Sequence, residues 1–181
     1  MKKNNLGSTK NNVDRSGDEV LTRDVKVIKK DRLRFTKNTL SSTLCYIAIL
    51  FNVFYFVNLF STDVGNYYYT INIGASVVYN LLFLLFAFLC SEGVKNYSKG
   101  YSIFLFILGA MQIVRIFEIP MKAHDAVVVI NKNPTVIMDD KQFYILVACL
   151  IASAICCVIA GVVGMTKTIV LEKYKKETGL N

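Results

Sequence analysis

Four apolar segments, each long enough to cross a lipid bilayer as an α-helix, constrain this chain more than any other feature. They run from Leu40 to Phe60, Ile71 to Ser91, Tyr101 to Ile119 and Phe143 to Gly164. About 20 residues of helix are needed to cross roughly 30 Å of hydrocarbon. The apolar content of 54% agrees with this, because soluble domains hold about 45 to 50%. The sequence therefore predicts a membrane protein with four spans.

The four segments are expected to form an all-α bundle. Only helices and closed barrels satisfy the backbone hydrogen-bonding groups in lipid, and the strands of a barrel alternate between apolar and polar residues. These segments are continuously apolar and show no such alternation. The predicted fold class is a four-transmembrane-helix bundle over residues 40–164.

Positive charge is distributed unequally between the two ends of the predicted helices. The tail before Leu40, the loop at 92–100 and the tail after Gly164 hold 17 Lys and Arg residues, whereas the opposite loops hold three. Because short positively charged loops remain in the cytoplasm, both termini are predicted to be cytoplasmic, with the helices in the plasma membrane. Topology also explains the net charge of +8, so no nucleic-acid partner is expected.

The segments that flank the helices differ in character. Residues 1–18 are polar and rich in Asn, Lys, Ser and Gly, and we expect them to be a disordered cytoplasmic tail. Residues 19–39 combine apolar and basic side chains near helical spacing, which fits an amphipathic juxtamembrane helix on anionic lipid headgroups. A solvated basic linker remains the alternative there. Residues 165–181 are predicted to form a basic cytoplasmic tail.

The loop between the third and fourth helices carries a hairpin signal. Two runs rich in β-branched residues, Val127 to Ile130 and Thr135 to Met138, flank the turn-like sequence Asn131-Lys132-Asn133-Pro134. This pattern predicts a small extracytoplasmic β-hairpin.

The sequence contains no pattern that is typical of reaction chemistry. His124 is the one histidine, and no His/Cys/Asp/Glu cluster, glycine-rich phosphate loop or nucleophile motif has the required spacing. All five cysteines lie within the apolar segments, so a disulfide framework is not expected. We expect no catalytic residue, no cofactor and no metal, and the chain is predicted not to be an enzyme.

The third segment carries charged side chains near its outer end. Arg115 lies about five residues, or roughly 7 to 8 Å, before Pro120, and Glu118 follows one turn later on the same face, where the two can pair. Gln112 lies one turn before Arg115, and Asn80 of the second segment is expected at the same depth as Gln112. The candidate intramembrane polar strip consists of Asn80, Gln112, Arg115 and Glu118.

Three interpretations of this polar strip remain open. Arg115 could extend outward to the lipid headgroups, the strip could form a buried polar network, or it could line a path for a substrate or proton. A charge that faces lipid at the centre of the bilayer costs at least about 2.5 to 3.5 kcal/mol, which favours burial. The other three segments contain no acidic or basic residue to complete a relay, which disfavours a path.

The fourth segment presents a broad face of small residues. Such faces let helix backbones approach closely in lipid, where no hydrophobic force otherwise brings helices together. Packing within the bundle and docking onto another subunit both explain the pattern. The face consists of Ala148, Cys149, Ala152, Ser153, Cys156, Cys157, Ala160, Gly161 and Gly164.

These features together favour a non-catalytic integral membrane protein over an enzyme. The leading hypothesis is an accessory or assembly subunit of a larger transport or envelope complex, with an integral membrane protein as its partner. The alternative is a small transporter or channel that acts as a homo-oligomer. Membrane lipid is a partner in either case.

Overall fold

The computed structural model describes residues 36–60, 70–125, 127–130, 133–136 and 138–179, together with five isolated positions between residues 25 and 32. Residues 1–18 and the loop at 61–69 lie outside this described part. The elements that follow Asn38 are helices α1 (Thr39–Phe60), α2 (Thr70–Lys95), α3 (Lys99–Glu118), α4 (Pro120–Asp125) and α5 (Asp140–Thr178), and strands β1 (Val127–Ile130) and β2 (Asn133–Val136).

Four helices within the described residues are long and apolar enough to cross a membrane, as predicted. They are Thr39–Phe60, Gly74–Lys95, Lys99–Asp125 and Asp140–Thr178. Large apolar side chains cover the outside of the bundle, and Leu81, for example, is 62% exposed. Since a continuous apolar exterior of this kind suits lipid and not water, the helices define a multi-pass membrane protein.

The chain divides into two compact units. The larger unit comprises residues 38–168 and holds the helix bundle, while the smaller contains the described residues before Asn38 and those from Ile169 onwards. In the smaller unit, the Tyr174 hydroxyl donates to the Asp31 carboxylate at 3.3 Å. Val25, Val27, Ile28, Asp31 and Arg32 are helical in the segment predicted to be amphipathic.

Helix α5 extends well beyond the apolar segment that predicted it. That segment ends at Gly164, whereas the helix continues to Thr178. The added turns contain four Lys and two Glu, which are good helix formers. The helix stops before Gly179, whose φ of +66° is the left-handed conformation that commonly terminates helices. The apolar signal therefore marks only the lipid-spanning part of a longer helix.

The turn between α2 and α3 is fixed by a Schellman motif. The backbone N–H of Ser98 donates to Gly93 and that of Tyr97 donates to Val94, at 3.1 and 3.2 Å. Tyr97 takes the left-handed position of the motif with φ of +58°, which is uncommon for a residue other than glycine. Gly93 is required for a different reason, because a Cβ there would lie 2.1 Å from the Tyr101 ring. Helices α2 and α3 are thereby held in close contact.

The bundle interior contains two apolar clusters. The first includes Cys45 and Ala48 of α1, Phe83 of α2, and Leu105 and Leu108 of α3. The second includes residues from α1, α4, α5 and the chain just before α5, namely Tyr55, Leu59, Ala123, Met138, Leu146 and Leu150. Helices α1 and α5 contribute residues to both clusters. On α1 the polar residue Asn52 lies between the two sets, and on α5 the polar residue Ser153 does.

Strands β1 and β2 pair antiparallel, with Val127 opposite Val136 and Ile130 opposite Asn133. Strand β2 begins two residues before the predicted run, so only two residues separate the strands, the commonest length for a hairpin connection. Met138, which was assigned to the second run, is instead fully buried in the second apolar cluster.

Candidate functional site

Polar side chains from four helices meet inside the bundle, with Asn52 of α1 at the centre. The amide oxygen of Asn52 accepts hydrogen bonds from Arg115 Nη1 at 3.1 Å and Gln112 Nε2 at 3.2 Å. Its Nδ2 donates to Asn80 Oδ1 at 3.3 Å, and Gln112 Nε2 lies 3.4 Å from the Ser153 hydroxyl. We call these five residues, Asn52, Asn80, Gln112, Arg115 and Ser153, the polar layer.

Further bonds to the backbone hold the polar layer in place. The Ser153 hydroxyl donates to the Ala48 carbonyl at 3.1 Å, and Asn80 Nδ2 donates to the Ser76 carbonyl at 2.8 Å. Hydrogen bonds between membrane helices contribute about 0.6 kcal/mol on average and up to about 1.7 kcal/mol. Because its bonds link α1 to α2, α3 and α5, the polar layer fixes the depth at which each helix lies against the others.

The Arg115 guanidinium lies against two tyrosine rings inside the bundle. Its Cζ atom is 4.3 Å from the centroid of Tyr55 and 4.7 Å from that of Tyr79. A desolvated cation over an aromatic face gains about 2 kcal/mol, which offsets part of the cost of burial. Arg115 is only 2% exposed. Of the three interpretations of the charged residues, this geometry matches the buried network and not extension toward the headgroups.

Glu118 does not join this network. Its side chain is exposed, and no ion pair connects it to Arg115 anywhere in the described part of the chain. The three-residue spacing does place the two on neighbouring positions, but the guanidinium is committed to Asn52 and the two rings. The predicted strip therefore separates: Asn80, Gln112 and Arg115 belong to the polar layer, and Glu118 lies outside it.

A cavity of about 330 Å³ connects Arg115 to the end of its helix. It lies between α2 and the α3–α4 junction, and we call it the Arg115 cavity. It extends from the buried Arg115 to Lys122, which follows the end of α3, and Glu118 stands between them in sequence. The residues that line it are Ala75, Ser76, Tyr79, Arg115, Glu118, Ile119 and Lys122.

Three polar atoms on residues of this lining have no hydrogen-bond partner within the described chain. They are Arg115 Nη2, the Ser76 hydroxyl and the Tyr79 hydroxyl, and all three are shielded from solvent. A buried polar group without a partner costs about 1 to 3 kcal/mol, and a charged one costs more. Three further atoms of this kind lie outside the lining, on Asn38, Tyr55 and Gln112, so half of those in the described chain belong to residues of this one cavity.

The two tyrosines were not predicted as site residues, although the sequence contains a signal for them. Tyr55 follows Asn52 by three residues, and Tyr79 follows Ser76 by the same spacing. Since residues three apart share a face of a helix, each tyrosine extends a polar face that already contained an amide or a hydroxyl. An aromatic residue in a membrane helix is normally predicted to face lipid. Here the polar residues on the same helix face indicate that the two tyrosines face the interior of the bundle.

The small face of α5 is used largely within the bundle. A Cβ at Gly161 would lie 3.1 Å from the Ser102 carbonyl oxygen, and one at Gly164 would lie 2.7 Å from Ser102 Oγ. The Ser41 hydroxyl of α1 donates to the carbonyl of Ala160 at 2.5 Å. For these positions the geometry matches packing within the bundle. Ser153, Cys157, Ala160, Gly161 and Gly164 are buried, Cys149, Ala152 and Cys156 are half-buried, and Ala148 is exposed.

The chemistry of the site is that of hydrogen-bond donors and one buried cation. Across the residues that the structure covers, no group of three or more His, Cys, Asp or Glu side chains is placed to hold a metal ion. Comparison with known proteins finds no matching family, no similar curated protein and no similar solved structure. Fold and site together define a multi-pass membrane protein with a polar layer across its bundle.

Proposed function

We propose that this protein is a non-catalytic integral membrane protein that serves as an accessory or assembly subunit of a larger membrane complex. The observation that supports the proposal is the closed core beside the polar layer. Phe83, Leu105 and Leu108 are each at most 3% exposed, and they pack together in the first apolar cluster. Beyond the Arg115 cavity, the described interior of the bundle therefore offers a solute no polar path.

A small homo-oligomeric transporter or channel is the alternative. A single bundle that transports must line its pathway with its own residues, yet Asn52 and Asn80 are committed to bonds within the polar layer. Conduction would have to occur between subunits, along surfaces that carry large apolar side chains. The packed core thus favours the accessory role.

Part of the small face remains available for a partner helix. Ala148 is exposed and Ala152 is half-buried, whereas Gly161 and Gly164 are buried against Ser102 within the bundle. Small exposed residues permit a close approach of another membrane helix. We propose Ala148 and Ala152 as the part of α5 that contacts an integral membrane partner.

The test is gentle purification of the intact protein from its native membrane. We expect a larger integral membrane protein to be recovered with it in fixed ratio, and we expect Ala148→Leu to reduce that recovery while the variant remains folded. Val162→Leu, another change to leucine at an exposed position of α5, serves as the matched control and should leave recovery unchanged. A homogeneous homo-oligomer that supports solute flux after reconstitution would reverse the ranking of the two functions.

We also propose that both termini lie on the cytoplasmic side of the plasma membrane and that the β1–β2 hairpin lies outside. The proposal rests on the 17 to 3 division of Lys and Arg, because short loops rich in positive charge resist translocation. A reporter fused after Asn181 should be cytoplasmic, and an epitope inserted at Gly65 should be accessible from outside. An external reporter at Asn181 would invert the whole topology.

A further inference from the structure

The Arg115 cavity lies near the end of the bundle at which α2 begins and α3 ends. Arg115 is three residues, or roughly 5 Å, before the end of α3, and Ser76 is six residues, or roughly 9 Å, inside the start of α2. Lys122 lies beyond the end of α3. The cavity thus spans roughly the last 10 Å of α2 and α3 at this end. For helices that cross a bilayer, the ends of the helices lie near the boundary between headgroups and acyl chains.

The lining favours an anion. Among the described residues of the lining, Arg115 and Lys122 are cationic and Glu118 is the one acidic member, so together these residues carry a net positive charge. Arg115 Nη2 and the hydroxyls of Ser76 and Tyr79 have no partner within the described chain and can all donate. Each is covered by its neighbours, so a ligand in the cavity reaches them only after side chains of the lining turn. Arginine is the side chain best suited to phosphate and carboxylate groups, because its donors form a planar fork.

The place of the cavity in the bundle favours phosphate over carboxylate. The donors alone could serve either anion, because a carboxylate and the phosphodiester of a phospholipid each present two charged oxygens, and each oxygen can accept more than one hydrogen bond. At this depth in a bilayer, the phosphate present at the highest concentration is that of the phospholipid headgroup.

We propose that the Arg115 cavity binds the phosphate group of a phospholipid, with Arg115, Ser76 and Tyr79 as its hydrogen-bond donors. This proposal goes beyond the accessory role and does not depend on it, since a lipid site can be tested on the purified protein alone. Bound lipid would explain why donors that are costly to bury without partners are placed around one cavity.

The experiment measures thermal unfolding of the full chain, purified in a maltoside detergent that contains no phosphate. A short-chain phosphatidylglycerol is titrated, with the matching diacylglycerol and inorganic phosphate as separate arms. At a lipid concentration roughly 100-fold above the dissociation constant, we expect the unfolding temperature to rise by about 5 to 10 °C. The diacylglycerol and inorganic phosphate should produce no comparable rise.

Variants then locate the site. Tyr79→Phe and Ser76→Ala remove only unpartnered hydroxyls, so they should fold normally while weakening lipid binding by roughly 2- to 10-fold each. Arg115→Gln should weaken it by more than about 10-fold, and if that variant fails to fold the two hydroxyl variants still carry the test. Tyr46→Phe makes the same chemical change at an exposed position of α1, outside the cavity, and should not alter binding.

Three results would overturn the proposal. Stabilisation by inorganic phosphate alone, lost in Tyr79→Phe, would mean that the cavity takes a soluble anion. An equal effect of diacylglycerol and phosphatidylglycerol would mean that the acyl chains, and not the phosphate, are bound. Full retention of the lipid effect in Tyr79→Phe, Ser76→Ala and Arg115→Gln would mean that water satisfies these donors and that lipid binds elsewhere.

Discussion

The two ends of the helix bundle use similar residues in opposite ways. At one end, which we call the Ser42 end, the hydroxyls of Ser42 and Ser91 lie 2.7 Å apart and Ser41 donates to a backbone carbonyl of α5. At the other end, which we call the Arg115 end, the hydroxyls of Ser76 and Tyr79 have no partner within the described chain. Among the described residues of the Ser42 end, the shielded side-chain atom without a partner is Asn38 Nδ2. Serines are buried at both ends, so residue type alone does not explain the difference.

Side-chain size accounts for the contrast. At the Ser42 end, Gly161 and Gly164 let α5 approach α3 so closely that added Cβ atoms would fall within 3.1 Å of Ser102. A serine hydroxyl then reaches the neighbouring helix directly. At the Arg115 end, Tyr55 and Tyr79 occupy the space around a guanidinium, and a cavity of about 330 Å³ opens beside them. The Ser42 end also has a cavity of about 330 Å³, whose lining includes Phe86, Leu89 and Tyr101 and is almost wholly apolar. The two ends therefore differ in how their polar groups are satisfied and in the charge of their cavities, and not in whether a cavity is present.

Gly164→Leu should have the largest effect on stability, because it disrupts the close packing of helices at the Ser42 end. The new side chain would be forced against Ser102 and Val94, where a Cβ alone would lie 2.7 and 3.2 Å from their nearest atoms. Overpacking usually costs about 1 to 3 kcal/mol, and a leucine between two helix backbones should reach the top of that range or exceed it. Thermal unfolding of the purified variant measures the loss.

Gly74 provides the matched control for this change. A Cβ at Gly74 meets nothing within 4 Å, and the residue is exposed on α2. Gly74→Leu should therefore leave stability unchanged or slightly improve it, because leucine is the better helix former. If Gly164→Leu were as stable as Gly74→Leu, the close approach of α5 to α3 would not be a source of stability.

Asn52→Leu should have the second largest effect, because Asn52 is the acceptor shared by Gln112 and Arg115. Its loss leaves a buried amide and a buried cation without their common partner, at a cost of about 2 to 3 kcal/mol. Asn80→Leu is the comparison. Asn80 bonds to Asn52 on the side away from Arg115, so this substitution should lower the free energy of unfolding by less. Equal losses in the two variants, measured by thermal unfolding, would show that the charge of Arg115 does not matter to the network.

Arg115→Met should cost less than Asn52→Leu, although it removes the charge itself. The Asn52 oxygen keeps its bond from Gln112, and a buried cation with one unpartnered nitrogen disappears. Replacement of buried charges by apolar residues of similar size is often neutral. We expect a change of about 1 kcal/mol or less in unfolding free energy. A loss larger than that of Asn52→Leu would mean that the contacts to Tyr55 and Tyr79 dominate the stability of this end.

The sequence predicts the spans of this protein better than its site. Apolar length identified all four helices, because crossing lipid imposes that length on each. The continuation of α5 to Thr178 was missed, since outside the membrane the helix needs no apolar run. The depth of Gln112 and Arg115 could be counted along α3. The sequence could not show whether Arg115 contacts Glu118 or Asn52, because that depends on the distance between neighbouring helices.

Tyr79→Phe should have the smallest effect on the protein without ligand, and it gives the sharpest test of the difference between the two ends. The change keeps the ring that lies 4.7 Å from the Arg115 guanidinium and removes only a shielded hydroxyl that has no partner. Removal of an unsatisfied buried group should leave the unfolding free energy within about 0.5 kcal/mol of the original value or raise it slightly. The equivalent change at the Ser42 end is Ser42→Ala. It deletes a hydroxyl bonded to Ser91 and should lower stability by about 1 kcal/mol. Thermal unfolding of both variants in the same phosphate-free detergent measures the difference, and a loss in Tyr79→Phe as large as that in Ser42→Ala would show that the tyrosine hydroxyl has a structural partner after all.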